Sequence, residues 1–270
     1  MSKGKILIIL SGADSFAVEK PDGNVSEEKT GFFLTELATP LEKILDAGYD
    51  VVFASPHGNK PSIDPLSESI LVYMGNYWRK KKEEELIERM RVEKSLYAPR
   101  AFSEIGDDEL RGFKGVFIPG GHAPLTDLGA DPELGRILLH FYRNGKPTAA
   151  VCHGPYALLS TRVAPNSTGF AYKGYKLTSW SDASESLVEK LKGGHIEKVE
   201  SALRDAGADM QTQTSKNLGS VTVDREVVSG ANPLAVAELG EKFVEMLAQK
   251  QGEEQIESLE RRNRFPVQVN

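Results

Sequence analysis

The chain has one cysteine, Cys152, and it sits in the stretch TAAVCHGPYAL, Thr148–Leu158. An apolar, strand-like TAAV runs straight into Cys152-His153, and Gly154-Pro155 follows before an apolar helix start. Small residues at such a junction let the backbone turn sharply and lift a nucleophile above a sheet edge, beside a helix N-terminus. The free amides and positive dipole end there favour thiolate, so a lowered cysteine pKa is expected. An isolated cysteine is ordinarily a small buried hydrophobe. Here the adjacent His153 and the Gly-Pro turn argue for a reactive one.

A nucleophile needs anion donors and proton carriers. FIPGGHAPLT, Phe117–Thr126, follows another apolar run, and Gly120 and Gly121 let the backbone approach a ligand and offer amides to an oxyanion. A Gly-Gly turn after a strand is by itself usually structural. It matters because parallel strands place their C-terminal ends on one edge, where the site of an open α/β sheet lies, and His122 shares that edge. Glu36 borders the apolar face set by Phe33 and Leu37, where desolvation would raise its pKa and let it exchange protons with a sulfur or a substrate. On pattern alone it could equally be a boundary glutamate reaching water. In WSDASE, Trp180–Glu185, either Asp182 or Glu185 could orient His153 and fix its tautomer, and Asp182 joins Gly120, Gly121 and His122 as a candidate oxyanion or substrate-binding residue.

These residues need a frame. Lys5–Leu10, Asp50–Ser55, Gly115–Ile118 and Thr148–Cys152 are apolar throughout, as in strands of a parallel sheet covered on both faces. Helical spacing recurs at Phe33, Leu37, Leu41 and Ile44, stopped by Ala47-Gly48. Asp131-Pro132 opens a second helix and Asn232-Pro233 the last, whose apolar face carries Leu234, Ala237, Phe243, Val244 and Leu247. The alternation predicts an α/β fold, a doubly wound, mostly parallel sheet sandwiched by helices. Residues 11–30 read as a polar loop, about 66–106 as a helical insertion with a solvated charged helix (RKKKEEELIERMRVEK), and 250–270 as a polar tail, frayed or packed on a partner, beyond a single domain at 1–249.

Composition narrows the function classes. A net charge of −6 over 270 residues argues against nucleic acid or anionic lipid as a partner. No apolar run is long enough for a membrane span, and KILIIL near the start reads as a strand and not as a signal peptide. One cysteine permits no internal disulfide, which fits the cytoplasm. Ser11-Gly12-Ala13 after the first strand is not a dinucleotide turn, so no flavin or nicotinamide is expected.

Taken together, KTGFFLTE (Lys29–Glu36), PGGH (Pro119–His122), AAVCHGP (Ala149–Pro155), SWSDASE (Ser179–Glu185) and VSGANPLA (Val228–Ala235) resemble the PfpI superfamily. This class I glutamine-amidotransferase-like group, flavodoxin-like in fold, includes the Parkinson-disease protein. Within it the chain is most similar to the glutathione-independent glyoxalase III and heat-shock chaperone branch, best known from fungi and bacteria. AVCHGP is the most specific of these motifs, and the likeness spans residues 5–249.

The resemblance implies Cys152 as nucleophile, His153 as base, Glu185 as acidic third member, Glu36 as the carboxylate touching the sulfur, and the Gly121 and His153 amides as oxyanion hole. It also implies a small dicarbonyl substrate, no cofactor and a homodimer. Some members carry a metal between two histidines and a carboxylate. His57, His122, His140, His153 and His195 show no close ligand spacing, so no metal is expected. The activity implied is conversion of methylglyoxal or a similar 2-oxoaldehyde to a 2-hydroxy acid. The alternatives are a cysteine amidase, peptidase or deglycase, and a holdase chaperone or redox sensor whose cysteine is oxidised without turnover.

Overall fold

The computed structural model describes residues 2–70, 72–211 and 219–264. Its centre is a parallel sheet. β1 (Lys5–Ile9) pairs with β4 (Asp50–Ser55) on one side and β6 (Phe113–Ile118) on the other. β6 pairs with β7 (Thr148–Val151), and β7 with β11 (Val227–Gly230). A short β5 (Arg100–Ala101) extends the sheet beyond β4, and β10 (Val221–Asp224) closes the far edge antiparallel to β11. The seven strands run β10-β11-β7-β6-β1-β4-β5.

β1 shows why its sequence is apolar throughout. Ile6 and Ile8 face a core built with α1 (Leu34–Asp46), α2 (Tyr77–Glu93) and α8 (Val236–Arg264). Leu7 and Ile9 face the other core, with α5 (Pro132–Arg143), the 3-10 helix Gly154–Arg162 and α7 (Val199–Ala206). Side chains alternate across a strand, so a strand buried on both sides must be apolar at every position. Phe117 and Phe243 meet in the first core with no exposure; truncating either to alanine should cost about 3–5 kcal/mol. Among the described residues no helix is long and apolar enough to cross a membrane.

Several expectations are corrected. Residues 11–30 are not only a loop: β2 (Ser15–Glu19) and β3 (Val25–Lys29) form an antiparallel hairpin. Phe16 and Val18 point inward onto Ile196 while Ala17 and Glu19 point out, and the turn-rich PDGN is the hairpin's tip. The insertion is one long helix, α2, flanked by short pieces. Its charges do form i,i+4 pairs such as Lys80–Glu84, while Leu86, Ile87 and Met90 anchor it. The last helix begins at Val236, because Asn232 Oδ1 takes the Leu234 amide in a turn. It then runs unbroken to Arg264, so residues 250–264 continue a helix; residues 265–270 lie outside the described residues. Asp131 caps α5 by accepting from the Leu134 amide at 2.8 Å.

Three more helices, α3 (Asp107–Leu110), α4 (Pro124–Asp127) and α6 (Asp182–Lys192), and a two-strand pair, β8 (Lys176–Leu177) with β9 (Asp209–Met210), complete the chain. The C-terminal ends of β6 and β7 and the start of α6 converge on one edge of the sheet.

Candidate active site

Cys152 leaves β7 in a left-handed conformation, φ +60°, which a non-glycine residue adopts only under constraint. The constraint is visible: its amide donates to Gly230 O at 2.9 Å and its carbonyl accepts from the Trp180 amide at 2.8 Å. Beyond the elbow the chain enters the expected helix, which is a 3-10 helix over Gly154–Arg162. A 3-10 helix aligns its peptide dipoles less well, so less help reaches the sulfur from that source.

The turn after β6 fits against this elbow only as glycine. A methyl on Gly120 would meet Glu36 Oε2 at 2.5 Å and Cys152 Cβ at 2.6 Å; one on Gly121, at φ +94°, would meet Gly31 O at 2.0 Å. The space left free by Gly120 is where Glu36 and Cys152 adjoin. The Gly121 and His153 amides, the pair implied as oxyanion hole, are directed at the Cys152 sulfur.

From the sulfur a chain of contacts leads away. Cys152 Sγ lies 3.3 Å from His153 Nδ1, and His153 Nε2 lies 2.7 Å from Glu185 Oε2. Glu185 Oε1 lies 3.1 Å from His122 Nε2. An ionised carboxylate only accepts, so both imidazoles carry hydrogen on Nε2, and His153 turns its Nδ1 lone pair toward the thiol. The rings are layered: Phe16 stacks on His122 at 4.4 Å, His122 packs on His153 at 4.1 Å, and His153 on Trp180 at 5.7 Å.

Of the two acidic candidates left open by the sequence, Glu185 makes this contact. Asp182 does not: its oxygens accept from the Ser201 amide and hydroxyl and from Arg204, fixing α6 to α7. The substrate-binding role expected of it is therefore corrected to a structural one. Residues three apart on a helix share a face, so spacing alone does not choose between them; the packing of α7 against α6 occupies Asp182, and the two imidazoles meet Glu185.

The electrostatics separate the groups sharply. Burial drives Glu36 up to about 8, with the charge of Asp64 adding to it and the thiol of Cys152 opposing. Glu36 is wholly buried, and neither oxygen has a hydrogen-bond partner of good geometry; Cys152 and the Gly120 amide are only loosely placed. Burial would also raise Glu185, but the hydrogen bonds from His122 and His153 prevail and draw it down to about 2. Burial and the neighbouring His122 lower His153 to about 4, so it rests as a neutral base.

Cys152 is the correction. Burial, and then the carboxyl of Glu36, push the thiol well above its usual value, against the pull of the Gly121 and His153 amides. The helix terminus alone would lower it, and desolvation of the sulfur outweighs that help. At rest the pair Glu36–Cys152 holds its protons, and the Nδ1 of neutral His153 is the acceptor that faces the thiol.

His122, His153 and Glu185 also place one ligand atom each within 4.8 Å of one another, close enough for a divalent ion, although their sequence spacing gives no hint of it. An ion there would occupy His153 Nε2, force its proton onto Nδ1 and so remove the acceptor facing Cys152. A resident metal and an active Cys152–His153 pair therefore exclude each other in this arrangement.

The DJ-1/PfpI family model matches residues 29–246. The glutathione-independent glyoxalase hsp3102 of Schizosaccharomyces pombe is 26% identical over 255 residues, covering 92% of this chain and 99% of that protein. The protein/nucleic acid deglycase HchA of Staphylococcus aureus is 27% identical over 257 residues, 90% of this chain and 81% of that one. The crystal structure of glyoxalase III from Candida albicans superposes with a TM-score of 0.68 at 21% identity, covering 90% of this chain and 97% of that one, and so shares the fold.

Proposed function

The chain belongs to the DJ-1/PfpI family, and from that premise we propose that it is a glutathione-independent glyoxalase, converting methylglyoxal or a similar 2-oxoaldehyde to the 2-hydroxy acid. The observation that carries this reading is Glu36: a buried carboxyl without a good partner, protonated at neutral pH, beside the thiol of Cys152. Such a group is placed to deliver and collect protons on carbons attached to the sulfur.

The steps balance without an oxidant. His153 takes the thiol proton as Sγ bonds to the aldehyde carbon, and Glu36 protonates the resulting alkoxide to give a hemithioacetal. Glu36, now a carboxylate, removes the hydrogen of that carbon, and the electrons move onto the neighbouring carbonyl, whose oxygen is protonated by His153. Glu36 returns its proton to the second carbon while His153 accepts the hydroxyl proton of the first. The product is the thioester of the 2-hydroxy acid. Water cleaves it, giving one proton to Glu36 while His153 reprotonates the sulfur. The Gly121 and His153 amides, which act on the sulfur at rest, would hold the oxyanions formed on the carbon bonded to it. The homodimer carried over from the family is also a proposal, checked by sedimentation.

The test is lactate formation from methylglyoxal without glutathione, for the wild type and Cys152→Ala. The expected result is turnover that vanishes in the variant. Release of ammonia or amine from amide or glycated substrates through Cys152, with no lactate, would move the site to cysteine hydrolase chemistry.

A further inference from the structure

A cleft of about 310 Å³ opens from the surface onto His122, between the β2–β3 hairpin, the turn at Asp64–Leu66 and α6. Neither Cys152 nor Glu36 lines it; it meets the site at His122, which packs on His153 at 4.1 Å. Its lining is mixed. Phe16 lies flat on His122, with Val188 beside it from α6. Across from them stand Pro65 and Leu66.

Two features show that these walls are built. Phe16 is buried in the small cluster with Val18 and Ile196, on a hairpin tied down by reciprocal amide–carbonyl bonds between Glu19 and His195 at 2.9 and 2.7 Å. Leu66, by contrast, is 62% exposed at the mouth, and it is held there because the buried Asp64 accepts its amide at 2.9 Å while also accepting the Thr30 hydroxyl at 2.8 Å. A large apolar side chain fixed in water beside a reactive centre is a contact surface in waiting.

The charges around the cleft reject anions. Its two lysines are already matched, Lys192 with Glu28 at 2.5 Å and Lys29 with Asp14 at 2.9 Å. Glu27 and Asp64 line it as well, so the balance of the cleft is acidic. A carboxylate or phosphate on the substrate would enter an unfavourable field.

We propose that the substrate is a 2-oxoaldehyde with a bulky, uncharged hydrophobic substituent, selected by Phe16 and Leu66. This rests on the reading of Cys152 and Glu36 as the glyoxalase pair. With the aldehyde carbon on Sγ and the second carbon next to Glu36, the substituent extends past His122 between these two side chains.

Phenylglyoxal, methylglyoxal and 4,5-dioxopentanoate, a 2-oxoaldehyde that carries a carboxylate, serve as probes, with hydroxy-acid formation as readout. Reactivity differences are cancelled by the ratio of kcat/KM for phenylglyoxal to that for methylglyoxal, compared between wild type and variants. Wild type should favour phenylglyoxal and use 4,5-dioxopentanoate worst. Leu66→Asn, a surface change safe for folding, and Phe16→Leu should each lower the ratio about threefold to tenfold, as expected when part of a hydrophobic contact is lost. An unchanged ratio in both variants, or a wild type that prefers methylglyoxal or 4,5-dioxopentanoate, overturns the assignment while leaving the glyoxalase reading intact. If no probe yields a hydroxy acid, both fall.

Discussion

Glu36 and Glu185 are the same side chain, both buried, both within reach of the Cys152–His153 unit, and they hold their protons in opposite ways. Glu36, in the first turn of α1, has no good partner, and burial lifts it to about 8. Glu185, in the first turn of α6, is met by two imidazoles and is held at about 2. Both stand near a helix N-terminus, so the helix dipole does not make the difference. Donors do. Where burial is unaccompanied the carboxyl keeps its proton and becomes an acid; where donors converge it stays ionised and orients a base. In the proposed mechanism the pair marks the two ends of the relay.

The largest effects come from erasing one side of that contrast. Glu36→Gln keeps the shape but cannot pass a proton, and turnover should drop about 1,000-fold, within the range of a lost general acid–base. In the wild type kcat/KM should fall above pH 8 as Glu36 loses its proton, and below about pH 4 as His153 gains one. Stopped-flow assays across pH check both limbs; an alkaline limb that persists unchanged in the residual activity of Glu36→Gln would separate Glu36 from the chemistry. Glu185→Gln should cost less, about 100-fold, because a thiol depends less than a hydroxyl on its oriented base. A larger loss from Glu185→Gln than from Glu36→Gln would reverse the ranking of the two carboxyls.

The same contrast has a stability signature. Glu36 has a raised folded value, so its favourable contribution is complete below pH 4.5 and is lost as pH climbs toward 8. At pH 7 the cost is on the order of 3 kcal/mol, from ~1.4 kcal/mol per pH unit. Glu36→Gln should therefore unfold at a higher temperature than wild type at pH 7, and the gain should vanish by pH 4. His153 and Glu185 are depressed and act with the opposite sign: stability present above 6.5 and 4.5, respectively, drains as pH falls toward about 4 and about 2. Melting curves should show wild type most stable between about pH 4.5 and 6.5, where the opposing slopes of Glu36 and His153 offset. A Glu36→Gln variant no more stable than wild type at pH 7 would remove the argument that burial alone holds the Glu36 proton.

The two carboxyls are not equally legible from sequence. Glu36 stands out because its place between Phe33 and Leu37 marks a helix face, and helix faces are periodic. Glu185 can only be paired with Asp182 as an alternative, since choosing between them needs the orientation of α6, which tertiary contacts set. The strands are legible as unbroken apolar runs. The hairpin at 15–29 is hidden by its polar outer face, although Phe16 and Val18 carry the two-residue period. The sign of the Cys152 shift escapes the sequence because desolvation depends on what closes over the sulfur, and that includes Glu36, 116 positions away in the chain. The cluster of His122, His153 and Glu185 joins three separate strand or helix ends and leaves no trace in spacing.

A third buried glutamate sharpens the contrast from outside the site. Glu83 on α2 accepts from Thr35, Thr39 and Arg79 through Oε1, at 3.0, 2.9 and 3.1 Å, and from the Tyr73 hydroxyl through Oε2 at 2.8 Å. Like Glu185 it is saturated with donors, but none of them belongs to the sulfur or its base. Its partners bind the insertion helix to α1, one residue from Glu36. Glu83→Gln turns one acceptor into a donor that faces donors, and should lower stability by about 1–3 kcal/mol, the range for disrupting a buried polar contact. Turnover should change less than twofold, because the backbone of α1 near Glu36 is held independently by the Phe33 amide on Gly120 O at 3.1 Å and by Leu34 and Leu37 in the core. Thermal melts and methylglyoxal kinetics on one preparation decide it. A tenfold loss of kcat with little change in stability would mean that the insertion sets the position of Glu36, and that the acid proton depends on donors after all, one step removed.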